Sequence, residues 1–145
     1  MAQLNYPFGV FVSNGEVFIA DTLNHRVRKL LRNGQIVTIA GNRIRGYDGD
    51  GQLATNAQLD HPAQVVVSSS NQVYIADGNR IRKIDRNGII STIAGTGEEE
   101  YNGDDQLAIH ANMSPCGLFV TEDEEVLIAD NDNHRVRMVD RFGII

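Results

Sequence analysis

Val73-Tyr-Ile-Ala-Asp77, Gly78-Asn79, Arg80-Ile-Arg-Lys-Ile-Asp85, Arg86-Asn-Gly88, Ile89-Ile-Ser-Thr-Ile-Ala-Gly95 is the stretch that decides the fold. Three short runs rich in β-branched residues alternate with two tight turn signals. Gly78-Asn79 can supply the positive φ that a two-residue hairpin needs. Asn87-Gly88 sits between two apolar runs and marks the second turn. The stretch therefore predicts an antiparallel three-stranded meander. Val73–Ala76 and Ile89–Ile93 are apolar at nearly every position, a pattern expected of strands covered on both faces. The meander is then one layer in a stack.

The same pattern occurs twice more. Val17-Phe-Ile-Ala-Asp21 leads to Arg26-Val-Arg-Lys-Leu30, Arg32-Asn-Gly34 and Ile36-Val-Thr-Ile-Ala-Gly41. Val126-Leu-Ile-Ala-Asp130 leads to Arg135-Val-Arg-Met-Val-Asp140, Arg141-Phe-Gly143 and Ile144-Ile145. Pro7, Pro62 and Pro115 head the copies, 55 and 53 residues apart. A fixed period of this size, close to the ~20–50 residues of known repeat units, indicates a propeller or solenoid. Each proline lies in a lead-in run (Leu4–Val12, Leu59–Val67 and Met113–Val120), where a strand can begin without a ladder donor. A full copy is thus four strands. Two copies are complete, and the third reaches only two residues into its fourth strand.

A long connection follows each of the first two copies. Gly46-Tyr-Asp-Gly-Asp-Gly-Gln-Leu-Ala-Thr-Asn-Ala57 and Tyr101-Asn-Gly-Asp-Asp-Gln-Leu-Ala-Ile-His-Ala111 share one pattern. The Leu-Ala-x-x-Ala spacing predicts a short helical turn, with Asp50 or Asp104 as its cap. The expected layout is blade 1 over about 4–41, linker 42–58, blade 2 over about 59–95, linker 96–112 and blade 3 over about 113–145. The fold class is all-β, an arc of about three four-stranded antiparallel blades. The third blade lacks most of its outer strand, and the inter-blade linkers carry short helical turns.

With these residues laid out, the chain resembles the NHL-repeat β-propellers, in a long-repeat variety with Gly-Tyr-x-Gly-Asp-Gly linkers. The signature reads Asn24-His25-Arg26-Val27 and Asn133-His134-Arg135-Val136. Copy two departs from it, with its turn cut to Gly78-Asn79 and no histidine. The resemblance implies a toroid of four-stranded blades, usually six, that binds protein or RNA through its faces and is an enzyme in a minority of cases.

Composition narrows the function. A net charge of −6 disfavours non-specific nucleic-acid binding, which needs a positive face. No apolar run approaches the ~20 residues of a membrane span. The start shows no basic region followed by an apolar stretch, so no signal peptide is expected. Cys116 is the single cysteine, so no intramolecular disulfide forms, and a cytoplasmic setting is favoured.

The repeat-signature residues are Asp21, Asn24, His25, Arg26, Asp77, Asn79, Arg80, Asp130, Asn133, His134 and Arg135. The hairpin brings each Asp beside the Arg that starts the next strand. Recurrence in every copy favours a scaffold device, an Asp–Arg pair or an Asp on turn amides, over a ligand site. Asp48-Gly-Asp50 and Asn102-Gly-Asp104-Asp105 have carboxylates suited to calcium, but lack the further acids of a full loop. His61 and His110 have no histidine counterparts; one His61 cannot supply the three or four ligands of zinc. Cys116 is expected to be a buried thiol. Arg28, Arg82 and Arg137, with Lys29 and Lys83, could make a basic face, opposed by Glu98–Glu100 and Glu122–Glu125.

The sequence therefore predicts a non-catalytic protein-interaction scaffold with no catalytic residue, cofactor or metal. RNA binding through the Arg-rich third strands is the first alternative. The second is part of a propeller lyase or hydrolase with a central metal. Self-association, or further blades, is expected to close the ring.

Overall fold

The computed structural model describes residues 3–145. Among these residues, eleven strands form three antiparallel sheets. The first contains β1 (Pro7–Ser13), β2 (Glu16–Asp21), β3 (Arg26–Leu30) and β4 (Ile36–Ala40). The second contains β5 (Pro62–Val67), β6 (Val73–Asp77), β7 (Arg80–Ile84) and β8 (Ile90–Ala94). The third has β9 (Pro115–Val120), β10 (Val126–Asp130) and β11 (Arg135–Val139). Each sheet is a simple meander, as tight turns between successive strands require. The three prolines stand at the first residue of β1, β5 and β9. No helix among the described residues is long and apolar enough to cross a membrane.

The middle blade shows why its strands are apolar throughout. Val65, Ile75, Ile84 and Ile90 face the first blade and pack with Phe18, Val27 and Leu59. Val66, Tyr74, Ile81 and Ala94 face the third and pack with Met113, Val126 and Ile128. Strand alternation thus feeds two cores from one sheet.

The linkers are backbone staples. Residues 41 and 42 donate to the carbonyls of Ala54 and Ala57, tying linker one to the blade it leaves. Gly51 N donates to Ile90 O, Ile90 N to Gln52 O, and Ala54 N to Gly88 O, tying it to the outer edge of the next blade. Linker two repeats this with Asp105, Gln106 and Ala108 against Ile145 and Gly143. Ile144 also bridges Leu107. The outer edge of each following blade is therefore covered by the linker that precedes it.

The expected helical turns are single 3-10 turns, Ala54–Asn56 and Ala108–His110. At about three residues per turn, Ala54 and Ala57 share a face, as do Ala108 and Ala111. All four are buried. The capping role expected of Asp50 and Asp104 is not realised. Leu53 and Leu107 occupy the cap positions, and no side chain caps either turn.

Two glycines meet different demands. Gly78 opens the β6–β7 hairpin at φ +54, and an added Cβ would lie 3.3 Å from Asp60 O. Gly95 ends β8 at φ +95, where a Cβ would fall 2.3 Å from Asn79 O. Gly78→Ala should cost about 1 kcal/mol, from backbone conformation alone. Gly95→Ala should cost about 3 kcal/mol, because backbone must also move. Urea unfolding of the two variants checks the order; equal losses would show that the Gly95 contact is easily relieved.

Candidate interaction site

The signature aspartates are buried to 3% exposure or less in all three blades. Each accepts an amide just ahead of the lead-in proline, two residues before it in blades 1 and 2 and one before it in blade 3: Asn5 N to Asp21 at 2.8 Å, Asp60 N to Asp77 at 2.6 Å, and Ser114 N to Asp130 at 2.7 Å. Each thereby pins the start of its blade's first strand to the end of its second. Asn24 and Asn133 add side-chain bonds to Asp21 and Asp130. His25 and His134 adopt left-handed backbone, φ 52 and 55, which closes these turns. Asn79 instead donates to Gly97 O in the shortened turn.

The ionic partner differs from the expected one. Arg82 Nη1 lies 3.2 Å from Asp77, and Arg137 Nη1 3.2 Å from Asp130. These arginines stand two residues beyond Arg80 and Arg135, on the same face of the strand. Arg26 does reach Asp21, at 3.6 Å, as does Arg28. Arg28, Arg82 and Arg137 are all buried, so the basic face weighed as the RNA-binding alternative does not form from them.

Their second partners explain the linker motif. Asp50 Oδ1 accepts from Arg82 Nη2 at 2.8 Å, and Asp50 Oδ2 from Thr92 N at 3.0 Å. Asp104 accepts from Arg137 at 2.8 Å and from Tyr101 Oη at 2.8 Å. Tyr47 stacks over Arg80 at 3.7 Å, and Tyr101 over Arg135 at 3.6 Å. Tyr-x-Gly-Asp is thus a clasp that grips two arginines of the following blade, one by its ring and one by its carboxylate. Desolvation acts to raise the pKa of both carboxyls. The Thr92 and Arg82 contacts outweigh it and hold Asp50 below the usual range, and Tyr101 and Arg137 do the same for Asp104.

The sequence reading missed one cluster. His25 ends the turn of blade 1, and Asp60-His61 leads into blade 2. Their rings meet edge to face, centroids 4.6 Å apart, and His61 N donates to His25 Nδ1 at 3.4 Å. Asp60 Oδ1 lies 2.6 Å from His61 Nδ1 and 2.7 Å from Arg45 Nε. His25, Asp60 and His61 offer donor atoms within 4.8 Å of one another, as a metal site would. Arg45 already neutralises the carboxylate and opposes a cation there. The only sequence signal was geometric: in a stack, one blade's turn abuts the next blade's lead-in. His110 is exposed and lies elsewhere, in the second linker.

Cys116 is exposed, not buried. The register jumps from Gly117↔Ala129 to Pro115↔Asp130, leaving Cys116 as an unpaired extra residue.

Identical positions differ sharply in exposure between blades. Val65 is fully buried, while Val10 at the same place in blade 1 is 61% exposed. Val66 is 4% exposed, while Phe119 at its place in blade 3 is 61% exposed. Phe8, Val12, Val136 and Met138 extend these two open faces.

A sequence model of the Teneurin NHL domain matches residues 45–100. Mouse Teneurin-4 is 31% identical over 154 aligned residues, covering 87% of this chain and 6% of the teneurin. The chain thus spans only a small part of that relative's length. A structural-genomics protein from Bacteroides thetaiotaomicron superimposes with a TM-score of 0.78 at 21% identity, over 95% of this chain and 36% of its own. A streptogramin B lyase superimposes with a TM-score of 0.64 at 14% identity, over 94% and 38%. These two likenesses concern the fold. The chain belongs to the NHL-repeat β-propeller family.

Two predictions follow from the buried charges. Arg82→Met leaves Asp77 without its counter-ion and should cost about 3–5 kcal/mol. Arg82→Met with Asp77→Leu should recover part of it, and denaturant unfolding measures both. The second concerns pH. Burial, then the neighbouring His61, hold His25 below its ordinary value of 6.5. The unfolded chain binds the proton first, so stability is lost as pH falls through about 6.5. Burial pushes Asp77 up to about 7, against the pull of Arg82, which gives the opposite slope between about 4 and 7. Comparison with His25→Asn, which tolerates left-handed backbone, cancels the Asp77 contribution. The variant should lose less stability than the parent between pH 7.5 and 5.5; parallel curves would remove His25 as the cause.

Proposed function

We propose that this chain is a non-catalytic protein-interaction module that engages protein through the open faces of its terminal blades. The observation that carries the reading is the contrast between Val65 and Val10, and between Val66 and Phe119. The same positions are core where a blade has a neighbour and bare where it has none. A contiguous apolar face of this kind, of several hundred Å2, marks an interface. Unpaired repeat ends need a cap or another blade. The domain division at residues 41, 58, 95 and 112 rests on the same repeat logic. The teneurin likeness is consistent with a protein partner, although the chain spans too little of those proteins to inherit a particular one.

A lyase reading draws on the His25–Asp60–His61 group and a fold neighbour. The commitment of Asp60 to Arg45 makes it the lesser reading. Zinc titration followed by melting should leave the midpoint unchanged; a saturable rise lost in His61→Ala would restore it.

Light scattering after size exclusion tests the interaction reading. The chain, 16.0 kDa as a monomer, should self-associate with rising concentration. Phe119→Glu with Val12→Glu should return it to the monomer mass with cooperative unfolding retained. A parent chain that stays monomeric and binds no hydrophobic dye would overturn the proposal.

A further inference from the structure

Blade 1 carries the receiving half of the clasp without the gripping half. By register, Arg26 matches Arg80, Arg28 matches Arg82 and Thr38 matches Thr92. In blades 2 and 3 the corresponding arginines are held by Tyr47 with Asp50 and by Tyr101 with Asp104. Among the described residues, no linker lies on blade 1. In its place is a cavity of about 580 Å3 lined by Gln3, Asn5, Asn24, Arg26, Arg28 and Arg43.

The charge balance of this cavity is incomplete. Arg28 is buried, yet its one ionic contact among the described residues is Asp21 at 3.6 Å, whereas Arg82 and Arg137 each reach two carboxylates. Asp21 is in turn shared with Arg26. Burial, then the proximity of Arg28 and Arg43, lowers the affinity of Arg26 for its proton. Three guanidinium groups thus surround a cavity with one carboxylate among them. A second carboxylate is what Asp50 and Asp104 supply in the other two blades.

The backbone repeats the message. Ile36 pairs with Leu30 as Ile90 pairs with Ile84. Ile90 exchanges both its outward bonds with linker one, and Gly88 O takes a third. Among the described residues, Gly34 and Ile36 make no such bonds to a linker. A segment arriving here would find an open strand edge beside the arginines.

We propose that this cavity and edge form a docking site for a peptide segment of the type Tyr-Asx-Gly-Asp, supplied by another NHL-type blade. Its tyrosine stacks on Arg26, its aspartate bridges Arg28 and Thr38 N, and its backbone pairs with Ile36. A second copy of this chain does not supply it, because both of its own linkers are engaged on blades 2 and 3. The proposal deepens the protein-interaction reading and rests on it, naming the partner's chemistry at one end of the arc.

The test uses a synthetic peptide with the sequence of residues 42–58, titrated calorimetrically into the full chain. One-to-one binding is expected, weakened at least tenfold by Asp50→Asn or Tyr47→Ala in the peptide. Arg43→Gln in the protein, an exposed substitution that the fold tolerates, should weaken it severalfold, and Arg28→Met should abolish it. In a second arm, the same segment is fused ahead of Leu4, in the register of Gln58 before Leu59. The melting temperature should rise, and the rise should vanish with Asp50→Asn in the graft. Absence of peptide binding at millimolar concentration together with an unshifted graft overturns the proposal. So does equal binding of the asparagine peptide, or inorganic phosphate competing at the peptide's own affinity. Self-association abolished by Arg43→Gln would assign the site to a second copy and overturn it too. Phe119→Glu lies on the opposite face and should leave peptide binding intact, so failure here is separable from failure of the self-association experiment.

Discussion

Each blade is built around a carboxylate that has been taken out of water. Asp21, Asp77 and Asp130 lie where a charged group is costly unless its oxygens are satisfied. The surroundings answer with one backbone amide from the lead-in segment and one or two guanidinium groups from the third strand. Those guanidinium groups are then buried in turn and need further acceptors. Linker carbonyls and carboxylates provide them in blades 2 and 3: Gln58 O, Asp48 O and Asp50 for Arg82, and Asn112 O, Gly103 O and Asp104 for Arg137. One buried charge per blade therefore fixes the lead-in, the hairpin and the linker together. The apolar cores supply most of the burial, but they do not by themselves specify where a linker must lie.

Much of this was legible in the sequence, because the repeat compares the chain with itself. Strand number, meander order and the incomplete third blade follow from Val-x-Ile-Ala-Asp, Arg-x-Arg and x-Thr-Ile-Ala-Gly at a common spacing. The repeat also marked the aspartates as scaffold. It could not choose between Arg80 and Arg82 as the partner of Asp77. Residues two apart in a strand share a face, so both were candidates. What decides is the pull of Tyr47 and Thr96 O on Arg80, and these contacts come from outside the hairpin. The linker carboxylates were misread for a related reason. Asp50 stands just ahead of a helical spacing, which looks like a cap, while its partners lie 32 and 42 residues further on. Local pattern has no access to such pairings.

The same distinction explains His25 and Cys116. His25 and His61 are 36 residues apart and belong to different blades, so neither signature nor spacing joins them. Cys116 sits in an apolar run, but a register shift turns it outward. In both cases the missing information is the relative placement of two blades or two strands.

The staple formed by each linker has a consequence for the order of assembly. The segment that completes the outer edge of a blade is synthesised before that blade begins. Gly51 meets Ile90, and Asp105 meets Ile145, only after about 40 intervening residues have been made. Loop closure over such a span must be met before the contact is rewarded, which raises contact order and slows folding relative to a stack of self-contained hairpins. A nascent arc of this kind leaves the outer part of its newest linker, Gly51 and Gln52 in linker one, without these partners until the next blade emerges. The outer edge of blades 2 and 3 is thus completed by a segment made before the blade itself, so the bonds that finish one blade cross the boundary from its predecessor.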